Sequence, residues 1–102
     1  MTEVIASVLR IEHAVPDYEV WKREGFDRDP IGRAQSGVRR YRVLRWSDNP
    51  GLVAIELEFD SRAAAEQFAQ ALSEMWHRVR DRFGWRELPE ARIYELVEAA
   101  EY

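Results

Sequence analysis

Two imidazoles are the only side chains in this 102-residue sequence that titrate near neutrality, and no cysteine accompanies them. His13 closes a β-rich run, Val4 to Ile11, in which Ile5, Leu9 and Ile11 alternate toward one face. Ser7 and His13 share that face, so an imidazole at a strand end is set to act as a general base toward whatever lies under the helices. Tyr18, Trp21, Arg39 and Tyr41 are expected around the same space with Phe68. In this reading His13 takes a proton, Arg39 or Tyr41 stabilises a developing oxyanion, and Ser7, Tyr18, Trp21 and Phe68 wall a substrate pocket. The competing reading has His13 bonding a carbonyl at the strand end.

His77 falls about 180° round its helix from Phe68, at roughly 100° per residue, and is expected in solvent. Trp76 is expected on the flank of that helix, packed against the first helix or another subunit. The two histidines occupy different elements and have no clear third ligand, so no metal site is expected. Without cysteine there is no disulfide, thiolate nucleophile or thiolate-ligated metal. No glycine-rich phosphate loop, Ser-His-Asp spacing or paired catalytic carboxylates stand out, and no cofactor is called for.

The elements that must position these residues are legible from period and punctuation. Pro16-Asp17 supplies helix-start chemistry, and Tyr18, Trp21 and Gly25 recur at helical spacing, predicting a helix from 16 to about 26 with its aromatic stripe on the sheet. Asp29-Pro30 is a second start signal and Gly37 a stop, predicting a short helical turn. Val38 to Trp46 and Leu52 to Phe59 read as a hairpin around Ser47-Asp48-Asn49-Pro50-Gly51, with Pro50 and Gly51 central in a type II turn. Placing Trp46 opposite Leu52 pairs Arg42 with Glu56 and Arg40 with Glu58.

That register puts Tyr41, Val43, Val53, Ile55, Leu57 and Phe59 on the core face. Arg40, Arg42, Leu44, Trp46, Glu56 and Glu58 take the other, where Arg10 and Glu12 extend the charged ladder. Asp60-Ser61 starts a long helix whose apolar stripe is Ala64, Phe68, Leu72, Met75, Val79 and Phe83, stopping at Gly84. Ala91 to Val97 reads as a last strand, with residues 98–102 a frayed tail.

The order strand, helix, strand, strand, helix, strand predicts one α+β domain over residues 1–102, a ferredoxin-like βαββαβ unit. Both helices lie on one face of a four-stranded antiparallel sheet. The bare face, with Leu44, Trp46, Leu52 and Ala54 beside Arg/Glu pairs, suits a second copy, so a homodimer through that face is expected.

A net charge of −4 disfavours nucleic-acid binding. Arg39-Arg40-Tyr41-Arg42 does not restore it, because alternate strand residues diverge and Glu56 and Glu58 neutralise two of them. Arg39 is the exception: on the helix side it has no evident carboxylate partner and is expected either to bind an anionic group or to snorkel to water. No basic start precedes an apolar run, and no run approaches the ~18 apolar residues of a membrane span, so a cytoplasmic location is expected.

With Val15-Pro16-Asp17-Tyr18 and Trp21 opening the first helix, and Phe59-Asp60-Ser61 followed by Ala65 and Phe68, the chain resembles the dimeric α/β-barrel superfamily over nearly its whole length. That superfamily includes antibiotic-biosynthesis monooxygenases, polyketide cyclases, haem-degrading enzymes and proteins without known activity. The resemblance implies a face-to-face dimer and a pocket between sheet and helices. It also implies a cofactor-free cyclase or monooxygenase acting on an aromatic or polyketide-like molecule; the alternative is a non-catalytic accessory or ligand-binding domain. The haem-degrading members resemble one another in a pocket Asn, Trp and His, whereas the single asparagine here, Asn49, lies in a turn.

Overall fold

The computed structural model describes residues 6–102. Four strands form one antiparallel sheet in the order β2-β3-β1-β4. Chain order is β1 Ser7–Ala14, α1 Tyr18–Glu24, a 3₁₀ turn Phe26–Arg28, β2 Val38–Trp46, β3 Asn49–Phe59, α2 Arg62–Phe83 and β4 Glu90–Glu95. This is the ferredoxin-like arrangement the sequence predicts. Val4 and Ile5, expected in the first strand, lie outside the described residues.

Strand alternation sorts the sheet into two faces. Leu9, Ile11, Val53, Ile55, Leu57 and Phe59 are buried under the helices. Ala65, Phe68, Leu72 and Trp76 of α2 pack onto them at helical spacing. The buried stripe is rotated from the one expected. Trp76 lies in the core and not on a flank, Met75 and Val79 are half-buried, and Phe83 is 52% exposed. Once Ala65 packs directly beneath the helix, the residues at steps of three and four from it, 68, 72 and 76, must follow it inward.

The helix ends are chemically determined. Ser61 accepts a hydrogen bond from the Ala64 amide at 3.1 Å, satisfying one free donor of the first turn. At the other end Gly84 adopts φ 67°, and the Trp85 amide reaches back to the Arg80 carbonyl at 3.1 Å, a Schellman closure. Gly37 does the same for the turn over 33–37: its φ is 94°, and the Val38 amide donates to the Arg33 carbonyl at 3.0 Å.

The first helix is shorter than expected. Asp17 is its N-cap, accepting from the Val20 amide at 3.2 Å, so Pro16 precedes the helix and does not lie in its first turn. It has no buried residue.

Two irregularities in β2 and β3 overturn details of the hairpin. Arg42 does pair with Glu56 and Arg40 with Glu58, but Trp46 faces Asn49, leaving Pro50, Gly51 and Leu52 as extra residues on β3. The tight turn is therefore Ser47-Asp48, and Pro50-Gly51 is not its centre. The Asn49 side chain accepts from the Gly51 amide at 3.1 Å, and the Gly51 carbonyl accepts from the Val15 amide at 2.7 Å, anchoring the chain where it leaves β1.

The second irregularity falls between Val38 and Arg40. Val38 pairs with Phe59 and packs against the core, so Val38, and not Arg39, takes the helix-side position. Simple alternation along β2 cannot show this, because a bulge shifts the parity of every residue before it.

Candidate active site

Between α1, α2 and the sheet lies a half-open cavity of ≈520 Å³. Its floor is Ile11, Ile55 and Leu57. Phe68, Leu72, Met75, Trp76 and Val79 of α2 form one wall, and Trp21, Phe26 and Ile31 form the opposite one. The gap exists because α1 is a short helix that touches the core through Trp21 alone and stands off from α2.

His13 projects into this cavity from the end of β1 and is 8% exposed. Burial pushes its imidazole down to about 4, so the ring is neutral at pH 7. The Trp85 ring stands against it, centroids 4.9 Å apart with planes at 78°. Trp85 is delivered there by the Gly84 closure and is stacked on Phe83, centroids 5.3 Å apart at 17°. No described side-chain nitrogen or oxygen is both buried and without a partner, and desolvation alone shifts the ring. Among the described residues the imidazole therefore has no hydrogen-bond partner, and its nitrogens are not fully sealed. Such a group offers a neutral hydrogen-bond donor and acceptor, and takes up a proton readily only where a bound anion offsets the desolvation.

The residues expected around His13 do not all gather there. Trp21 and Phe68 line the cavity with it. Ser7 is buried on the same face but six positions back along β1, about 20 Å away at ~3.3 Å per residue. Tyr18 turns toward Arg45, whose guanidinium lies 4.8 Å from its ring, and is not a lining residue. Tyr41 is 47% exposed on an edge strand that α2 does not cover, with Phe26 against its ring at 5.1 Å. Arg39, read as lacking a carboxylate, holds Asp60 through Nη2 at 2.5 Å and Nε at 2.7 Å, outside the cavity. The α2 cap turn brings Asp60 beside the bulge, a proximity no local pattern reports.

In their place the structure supplies Trp85, Phe26 and Arg33. The one local signal for Trp85 is its position after the Gly84 stop. Phe26 joins a file of rings, Tyr18–Trp21–Phe26–Tyr41, with centroid spacings of 5.8, 5.6 and 5.1 Å, of which Trp21 and Phe26 line the α1 side of the cavity.

His77 is exposed on α2, as expected. Among the described residues no group of three or more His, Cys, Asp or Glu side chains is placed to hold a metal ion, and no helix is long and apolar enough to cross a membrane.

No protein-family model matches the chain, and no curated protein matches it in sequence. Solved structures do match in shape. A putative antibiotic biosynthesis monooxygenase from Nitrosomonas europaea superposes with a TM-score of 0.62 at 15% identity, covering 92% of each chain. A dimeric ferredoxin-like protein from an uncultured marine organism gives 0.65 at 11% identity, over 96% of this chain and 99% of the other. A Pseudomonas aeruginosa protein gives 0.56 at 20% identity, over 98% and 99%. At these identities the likeness is one of fold, and it is the ferredoxin-like fold that the sequence predicts.

Proposed function

We propose that this protein is a homodimer that takes an aromatic or polyketide-like small molecule into the cavity beside His13 and acts on it without a cofactor, as a cyclase or monooxygenase does. The observation that carries this reading is the ≈520 Å³ cavity with a neutral imidazole on its wall. Its volume lies in the usual range for small-molecule sites, and aromatic and aliphatic walls with few polar groups suit a ring system. The role assigned to His13 is to accept a proton from the bound molecule as negative charge develops beside it.

The dimer in this reading forms through the outer sheet face, where Leu44, Trp46 and Tyr94 are 41%, 56% and 45% exposed. Arg10, Arg40, Arg42 and Arg92 share that face with Glu12, Glu56, Glu58 and Glu90, four charges of each sign. A face that is neutral in sum and apolar at its ends can meet a copy of itself without burying net charge. One of the matching structures is described as dimeric.

A second reading, a ligand carrier without catalysis, draws on His13 itself. A group titrating at about 4 is a weak base, and the carboxylates that line the cavity are engaged elsewhere, Asp17 by the Val20 amide, Glu24 by Arg23 and Arg28, and Asp29 by the Arg33 amide. One experiment separates the two. Polycyclic phenols such as 1-naphthol and anthraquinone derivatives are titrated against thermal unfolding, and product formation in air is followed for the native protein and His13→Gln. Protection with turnover that His13→Gln abolishes supports the enzyme. Protection without turnover supports the carrier, and absence of any protection removes both.

A further inference from the structure

Three arginines line the cavity, and they are not equivalent. Arg28 is held by Glu24 at 2.6 Å on the exposed rim. Arg82 is exposed on the last turn of α2. Arg33 is different, with a side chain only 18% exposed and its guanidinium 3.9 Å from the Phe26 ring centroid and 5.1 Å from that of Tyr41. Stacking fixes the plane of the fork, so little rotamer freedom remains to be lost when an acceptor binds.

The fork is also incompletely used. Nη1 donates to the Phe26 carbonyl at 2.9 Å. The nearest carboxylate, Asp29, lies 3.7 Å from Nη1, beyond hydrogen-bond distance, and its Oδ1 accepts instead from the Arg33 backbone amide at 2.9 Å. Among the described residues Nη2 and Nε have no acceptor, and neither is sealed from open space.

We propose that Arg33 is the anion-recognising residue of the cavity, and that the ligand is an apolar, ring-bearing molecule carrying a carboxylate, sulfonate or ionised phenol that its free edge binds. This rests on the reading of the cavity as a ligand site and adds to it the charge of the ligand. His13, neutral at pH 7, supplies no charge to compete for that anion. A planar fork presenting two parallel N–H groups matches a two-oxygen anion better than a point charge does.

The test uses two fluorescent probes that share one ring system: 8-anilinonaphthalene-1-sulfonate, an anion, and N-phenyl-1-naphthylamine, its neutral counterpart. The unsubstituted chain is expected to bind the anion more tightly. Arg33→Gln is expected to weaken the anion on the order of tenfold, the loss of one charged contact, while leaving the neutral probe within about twofold. Arg33→Lys should recover part of the loss, and Arg62→Gln, at an exposed arginine outside the cavity lining, should change neither probe. Should Arg33→Gln fold poorly, 0.5 M salt added to the native protein must still weaken the anion selectively.

Equal affinity of the two probes for the native protein, or an anion loss produced by Arg82→Gln and not by Arg33→Gln, overturns the assignment. Val79→Trp, which fills the cavity, should expel both probes. If both still bind, they bind elsewhere and the assignment fails. If neither probe binds the native protein, the cavity itself is not a ligand site, and the earlier reading falls with this one.

Discussion

The His13 imidazole stands edge-on to the Trp85 ring, 4.9 Å between centroids, although the two residues belong to opposite ends of the chain. Trp85 completes the enclosure that makes His13 neutral, so its removal should hydrate the imidazole. In Trp85→Ala the His13 ring is expected to titrate well above its native value of about 4, moving toward 6.5. Proton NMR of the imidazole C–H signals checks this, with His77→Gln removing the second histidine from the spectrum. An unchanged midpoint would mean that Ile11 and the α2 wall alone desolvate the ring.

Acid should destabilise the protein through the same residue. Because the folded value, about 4, lies below the unfolded value of 6.5, the unfolded chain binds the extra proton between them. Stability is therefore unaffected by His13 above about pH 6.5, falls as pH drops through that window, and has lost roughly 2 to 3 kcal/mol at its lower end. Urea midpoints at pH 7.5 and 4.5 measure the drop, and in His13→Phe it should shrink by about that amount.

On the outer face Glu56 joins two strands, accepting from Arg10 at 2.5 Å and from Arg42. Burial pushes its carboxyl up, but the hydrogen bonds from Arg42 and Arg10 outweigh that and hold it below the ordinary range. Glu56→Gln leaves two guanidinium groups facing each other across the face assigned to the dimer. The expected result in light scattering is a shift from a dimer of about 24 kDa, twice the 12.0 kDa chain, toward monomer. Trp46→Glu should act in the same direction by burying an unpaired charge. A native chain that runs as a stable monomer at micromolar concentration would end the dimer reading.

Arg39→Ala separates the arginine the sequence singles out from the one the structure supplies. Its ion pair with Asp60 is largely exposed, 65% and 55% for the two side chains, and such pairs contribute little to stability. Denaturant midpoints should move little, and affinity for an anionic probe should not move at all. A loss of anion binding in this variant would restore Arg39 to the site and place the cavity mouth nearer the β2 bulge.

Gly84→Ala tests how Trp85 is aimed. The position has open space for a methyl group but requires φ 67°, so the cost is backbone strain of about 1 to 2 kcal/mol, and it should be accompanied by partial release of Trp85 from His13. Thermal unfolding and the His13 midpoint report the two effects separately.

The sequence by itself determines the layers. Alternation along β1 and β3 names the core face residue by residue, the Arg42–Glu56 and Arg40–Glu58 pairs give the main hairpin register, and Ser61 and Gly84 bracket α2, because each signal is local and periodic. It also places His13 on the helix side. What it cannot determine is the company His13 keeps. A bulge at Arg39 reverses parity without any compositional mark, six residues of strand carry Ser7 about 20 Å from the imidazole, and an edge position leaves Tyr41 half in water. Trp85 reaches the cavity through the left-handed closure at Gly84, and Arg33 from a loop where Asp29 holds its amide and the Phe26 carbonyl its guanidinium, turns whose direction depends on what each packs against. Only the assembled structure decides that, because the cavity is the space left between a short α1 and α2, and its walls come from segments far apart in the chain.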